Sequence, residues 1–155
     1  MQRDYPDRPI VGVGAILLRR SPPPDSSPQI VLVKRGNPPL VGEWTIPGGM
    51  LELGEALEAG AVREASEETS LTVRSTGMVE VFDRIYTDAA GRVQYHYVLL
   101  DYICEVIGGE IKAGGDAVDA RWFSDAELDS PGVSAFTAEV ARRAMKRRYS
   151  KPELR

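Results

Sequence analysis

Between Gly48 and Leu71 the chain reads GGMLELGEALEAGAVREASEETSL, which places six glutamates in 24 residues. The spacing from about Glu55 to Thr69 is helical. Leu57, Ala61, Val62 and Ala65 fall on one side at i, i+4, i+5 and i+8, the repeat of an amphipathic helix. Glu64, Glu67 and Glu68 stand three and four residues apart, so they are neighbours on such a helix. Their patch is expected on the side away from Leu57 and Ala61. Like charges at this spacing cost a helix about 0.2–0.5 kcal/mol per pair. An ordinary acidic surface helix interleaves Lys or Arg four residues along, whereas here only Arg63 faces the three acids. Stability alone explains the cluster poorly. A hard divalent cation such as Mg²⁺ takes oxygen ligands and reverses the repulsion. Arg63, four residues before Glu67, is placed to hold that carboxylate in one rotamer. Glu55 stands near the positive end of the helix dipole, where it supports the patch from behind or adds an oxygen ligand. The glycines Gly48 and Gly49 let the backbone come close to the helix, and a glycine carbonyl can ligate a metal.

The rest of the chain reads as strands around this helix. Residues 10–20 and 30–35 form two apolar strands, joined by the proline-rich loop 21–29 into a hairpin. Residues 36–49 are loop or short strand. Residues 79–86 and 93–107 are strands rich in aromatic and β-branched residues. Residues 108–116 are a glycine-rich loop, and 120–123 a short strand. Ser124 and Glu127 fit a capping box. Residues 133–149 read as a closing amphipathic helix with Phe136, Val140 and Ala144 on its inner face. Mixed strands with helices between and after them predict an α/β fold of α/β/α layers. The 155 residues are a normal length for one domain, with residues 1–8 and 150–155 expected to be flexible.

A net charge of −4 makes no general case for nucleic-acid binding. Residues 134–155 hold seven basic and two acidic residues, a pattern expected of a solvated helix face and a frayed end. The single cysteine, Cys104, lies in an apolar stretch and is read as a small buried hydrophobe. The N-terminus lacks an apolar secretory core, and no run approaches 18 apolar residues. The expected location is cytoplasmic, with no membrane partner.

Gly49, Glu55, Arg63, Glu64, Glu67 and Glu68 together resemble the Nudix box, Gly-x5-Glu-x7-Arg-Glu-U-x-Glu-Glu-x-Gly-U with U apolar. With each residue type at roughly 7% usage, chance agreement at a given start is on the order of 10⁻⁷. The flanking GEWTIPGG and DARWFSDAEL are also similar to the family, and the resemblance covers most of residues 10–130. One position departs: Ser70 stands where the family carries a glycine that ends the helix in a left-handed conformation.

The resemblance implies a Nudix-type sandwich with a mixed sheet and a Mg²⁺- or Mn²⁺-dependent hydrolase acting on a phosphoric anhydride bond. Carried over by position, Gly48 (through its carbonyl), Glu64, Glu67 and Glu68 would be metal ligands. Glu64 is a candidate base, and Arg63 would orient the carboxylates. Asp116, or Glu110 instead, is a candidate for a further acid, while a turn-forming aspartate explains Asp116 equally well. Phe82, Arg84 and Tyr86 alternate onto one strand face and are candidates for substrate binding, by stacking on a base and pairing with a phosphate. His96 is expected to be structural, and Trp44 and Trp122 to be core or cleft-wall residues. The expected substrate is a nucleoside diphosphate linked to another moiety, ADP-ribose-like or nucleotide-sugar-like. Residues 72–107 lack the proline that often marks ADP-ribose enzymes of this kind. A nucleoside triphosphate pyrophosphatase is the alternative, and a ligand sensor without turnover, less expected with all the glutamates present, is a third. Expected partners are a nucleotide-derived small molecule and, for assembly, a homodimer, with no specific nucleic acid.

Overall fold

A computed structural model describes residues 2–150. The expected flexible tail lies, after Ser150, outside the described residues. The order of elements is β1 (Ile10–Arg20), β2 (Pro28–Arg35), β3 (Trp44–Thr45), β4 (Gly48–Met50), α1 (Leu57–Thr69), β5 (Thr72–Thr87), β6 (Val93–Gly108), β7 (Ala117–Ser124), a 3₁₀ turn (Ala126–Asp129) and α2 (Ala135–Tyr149). All seven strands join one sheet in which β3, β2, β1, β6 and β5 follow in order, with β4 also on β1 and β7 also on β2. β1 and β6 run parallel and the other pairs antiparallel, so the sheet is mixed.

Alternation along β1 builds the two faces. Ile16 and Leu18 point into a cluster with Val140, Ala141 and Ala144 of α2. Val13, Ala15 and Leu17 point the other way, against Ala61 and Ala65 of α1. The helices therefore cover opposite faces, the α/β/α layering expected from the sequence. Ile16, Leu17, Ile30, Leu32 and Phe123 are fully buried. Each such side chain contributes about 1.5–3 kcal/mol of hydrophobic stabilisation. Cys104 is buried and Trp44 belongs to the core.

Several boundaries differ from the sequence reading, each for a local reason. Helix α1 starts at Leu57 instead of Glu55, because Gly54 adopts a positive φ and Ala56 is extended. β5 begins seven residues earlier than expected, at Thr72. Its register slips between Ser75 and Val79, which broke the alternation that marks a strand. β2 starts at Pro28, shortening the proline-rich loop, since Pro28 and Gln29 already pair with Arg20 and Arg19. β7 runs from Ala117 along β2. α2 begins after Ser134, whose hydroxyl accepts from the Thr137 N–H at 3.1 Å. Ser70 does occupy the left-handed position, at φ 62° and ψ 8°, and ends α1 as a glycine would. No helix among the described residues is long and apolar enough to cross a membrane.

Candidate active site

Glu64 and Glu68 of α1 do not lie on its outer side, although Glu67 is exposed. Glu64 and Glu68 are only 9% and 7% exposed, and they share the inward face with Gly60, Ala61 and Ala65. This corrects the expected patch away from Ala61. The helix lies so close to the sheet that its inward arc is wider than the apolar residues alone suggest. Gly49 makes the approach possible, since a Cβ there would overlap the Glu64 carboxylate. The Gly48 N–H donates to Glu68 Oε2 at 3.1 Å, tying β4 to the helix.

Arg63 organises the cluster. Its Nε donates to Glu55 Oε2 at 2.9 Å and its Nη2 to Glu55 Oε1 at 3.0 Å. Its Nη1 donates to Glu64 Oε1 at 2.7 Å and to Glu67 Oε2 at 3.3 Å. Nη2 also reaches the Met50 carbonyl at 3.3 Å. The guanidinium thus bridges β4, the turn before α1 and two carboxylates of α1. Such charge-assisted forks are geometrically selective.

Burial dominates the electrostatics. It pushes the Glu68 carboxyl up to about 8, with the charges of Glu64 and Asp116 adding to it, while the Gly48 N–H and Arg35 pull the other way. Burial also raises Glu64, outweighing the pull of Arg63. Two neighbouring carboxyls raised by burial are ones whose charged forms a bound cation would favour. Glu64, Glu67 and Glu68 offer the hard oxygen donors that Mg²⁺ or Mn²⁺ prefers. Among the described residues, no three acidic, histidine or cysteine side chains are already gathered as a metal-binding group. Arg63 reaches Glu67 at 3.3 Å, and that side chain is 53% exposed.

A cavity of about 1000 Å³ opens beside the cluster, with Gly48, Gly49, Glu55 and Asp116 in its wall. Asp116 is close enough to Glu64 and Glu68 to raise both. Glu110 is exposed and outside that wall. Arg84 and Tyr86 line the cavity. The Arg84 Nε donates to the Tyr86 hydroxyl at 3.2 Å, and its guanidinium stacks 3.9 Å from the Phe136 ring centroid. Phe82 lies off the wall, packed edge-on against Phe136 with ring centroids 5.4 Å apart.

The sequence reading missed further lining groups. Arg35 comes from the end of β2, and Arg3 and Arg8 from the N-terminal segment. That segment, expected to be loose, is tied down at Tyr5. Its N–H donates to the Gln94 carbonyl and its hydroxyl to Asp88 Oδ2, both at 2.8 Å. Thr45 Oγ1 is buried without a partner among the described residues. Asp101 also lines the cavity, and its one sequence signal is a carboxylate set between the apolar residues Leu100 and Tyr102.

The family model for the NUDIX domain matches residues 8–146, and the chain belongs to that family. It is 40% identical over 95 residues to an ADP-ribose pyrophosphatase of Methanocaldococcus jannaschii, a match covering 61% of this chain and 54% of that one. It is 32% identical over 105 residues to a Bacillus subtilis protein named as an 8-oxo-dGTP diphosphatase, over 67% of this chain and 63% of that one. The matched segment thus spans less than two thirds of either relative. The NUDIX domain of Shewanella oneidensis NrtR, solved in complex with ADP ribose, superposes with a TM-score of 0.69 at 22% identity, covering 91% of this chain and 89% of that one. That likeness shows the fold.

Proposed function

We propose that the chain is a Mg²⁺- or Mn²⁺-dependent pyrophosphohydrolase that cleaves a nucleoside diphosphate linked to another moiety, ADP-ribose-like or nucleotide-sugar-like, by water attack at phosphorus. The observation that carries this is the pair of buried carboxyls, Glu64 and Glu68, held by Arg63 and the Gly48 N–H at the wall of a cavity large enough for a nucleotide. Glu64, Glu67, Glu68 and the Gly48 carbonyl would hold the metal. A bound divalent cation neutralises charge on phosphoryl oxygens and lowers the pKa of water. Glu64 takes the proton of the attacking water, a role suited to a carboxyl raised by burial. Arg63 positions Glu64 and Glu67, and Glu55 fixes Arg63. Asp116 is the further acid of the site. Arg84, Arg35 and Arg8 bring positive charge to the cavity for phosphates, and Tyr86 offers a ring for stacking. Phe82 supports this surface through Phe136.

Similarity to the ADP-ribose pyrophosphatase supports the diphosphate-linked substrate. A nucleoside triphosphate pyrophosphatase is the second reading, supported by the likeness to the protein named for 8-oxo-dGTP. The test is a panel of ADP-ribose, nucleotide sugars and nucleoside triphosphates with Mg²⁺, scored for nucleoside monophosphate and pyrophosphate release. Monophosphate release from the diphosphate-linked compounds is expected. Pyrophosphate release from triphosphates alone would favour the second reading, and no turnover on any compound would refute both.

A further inference from the structure

The α2 face of the sheet carries an acidic side chain deep in its interior. Asp101 sits in the middle of β6, paired with Gly14 of β1 on one side and Glu80 of β5 on the other. It is 7% exposed, and it forms part of the cavity wall. Its strand neighbours on the same face, Leu99 and Tyr97, line the cavity too, with Arg84 directly across from Tyr97. The carboxyl leans over Gly14, where a Cβ would overlap Oδ1. A glycine at this position of β1 is therefore what leaves the carboxyl its place.

No side chain or backbone group among the described residues hydrogen-bonds to this carboxyl or pairs with it. Burial and the charge of Glu80 are the influences on its carboxyl, and no hydrogen bond or cation offsets them among the described residues. Glu80 itself is engaged by Arg147, whose Nη1 donates to it at 3.1 Å. A buried polar group without a partner is costly, and it is tolerated where a ligand completes it. The ligand must be flat enough to lie along Tyr97 and Arg84 and must carry an N–H donor on its edge. A carboxyl accepts such a bond in either protonation state. A purine with an exocyclic amino group has that chemistry.

We propose that Asp101 is the specificity residue of the cavity, accepting a hydrogen bond from the exocyclic amino group of the substrate's purine. The proposal rests on the nucleotide-hydrolase reading above, and it places the base on the α2 face while the phosphates extend toward α1. Adenine and guanine both offer the amino group, at different ring positions.

The test is calorimetric binding of nucleoside monophosphates in matched pairs that differ by that group alone. AMP is compared with purine riboside 5′-monophosphate, and GMP with IMP. Wild type should bind the amino member of one pair about 10-fold more tightly, and that pair identifies the base. In Asp101→Leu the ratio should fall below about 2-fold without a loss of thermal stability. Asp101→Asn keeps a carbonyl acceptor and should retain the preference. Gly14→Ala should displace the carboxyl and abolish the preference with Asp101 present, which decides the matter if the leucine variant does not fold. No discrimination by wild type in either pair, or discrimination surviving in Asp101→Leu, would overturn the proposal. Binding needs no turnover, so absent hydrolysis across the substrate panel would defeat the enzymatic reading alone. Hydrolysis without discrimination would defeat this one alone.

Discussion

Replacing Arg63 by Gln removes the cation that Glu55, Glu64 and Glu67 share. Its guanidinium makes two short bonds to Glu55, at 2.9 and 3.0 Å, and one to Glu64 at 2.7 Å. The side chains of Glu55 and Glu64 are each 12% exposed, so both would be left as nearly buried charges. Removing one member of a buried pair costs about 3–5 kcal/mol. Arg63 is itself partly open to solvent, and Glu64 can escape the penalty by taking up a proton, so the lower end, about 3 kcal/mol, applies. For a chain of this size that is a fall in Tm of about 6–12 °C. The exposed Arg74–Glu105 pair, of similar length at 2.8 Å, gives the contrast. Arg74→Gln should change stability by less than about 1 kcal/mol. Urea denaturation of both variants at pH 7 without divalent cations measures the difference. Equal small losses in the two variants would refute the reasoning that Arg63 organises buried carboxylates.

Three further outcomes are expected. Ser70→Gly should raise Tm by about 1–3 °C, since relief of the left-handed conformation outweighs the greater chain entropy of glycine; a lower Tm would show that the Ser70 hydroxyl bond to the Lys112 carbonyl matters more. Burial raises the Asp101 carboxyl to about 7. Below about pH 4 folded and unfolded chains both hold this proton, while between 4 and 7 the unfolded chain alone releases it, so the contribution of this group to wild-type stability falls as pH rises through that window. The advantage of Asp101→Leu over wild type should therefore grow from pH 4 to pH 8, by at most about 4 kcal/mol; a constant difference would place the carboxyl in a polar setting. Divalent cations should raise the Tm of wild type more than that of Glu68→Gln, measured by calorimetry with and without Mg²⁺, and equal shifts would mean that Glu68 does not bind them.

The α1 cluster was legible because its logic is local. Arg63, Glu64, Glu67 and Glu68 lie within six residues, and helical spacing alone predicts that they meet. Their burial was not legible. Apolar periodicity assigns carboxylates to the outside, and only the close approach of β4 at Gly49 brings Glu64 and Glu68 inward. The α/β/α layering followed from strand and helix patterns, but the full length of β5 did not, since its slip between Ser75 and Val79 breaks the alternation. Arg35, Arg8 and Asp101 reach one cavity from three distant segments. No spacing rule joins them, because the parallel register of β1 with β6 is a property of the folded sheet.

The central claim is that the α1 carboxylates form a divalent-metal hydrolase site. Glu67 tests it most cleanly, because its side chain is 53% exposed and its loss should leave the fold intact. With Mg²⁺ and the best substrate of the panel, Glu67→Gln should lower kcat about 100-fold or more at an unchanged Tm. Turnover close to that of wild type would contradict the account.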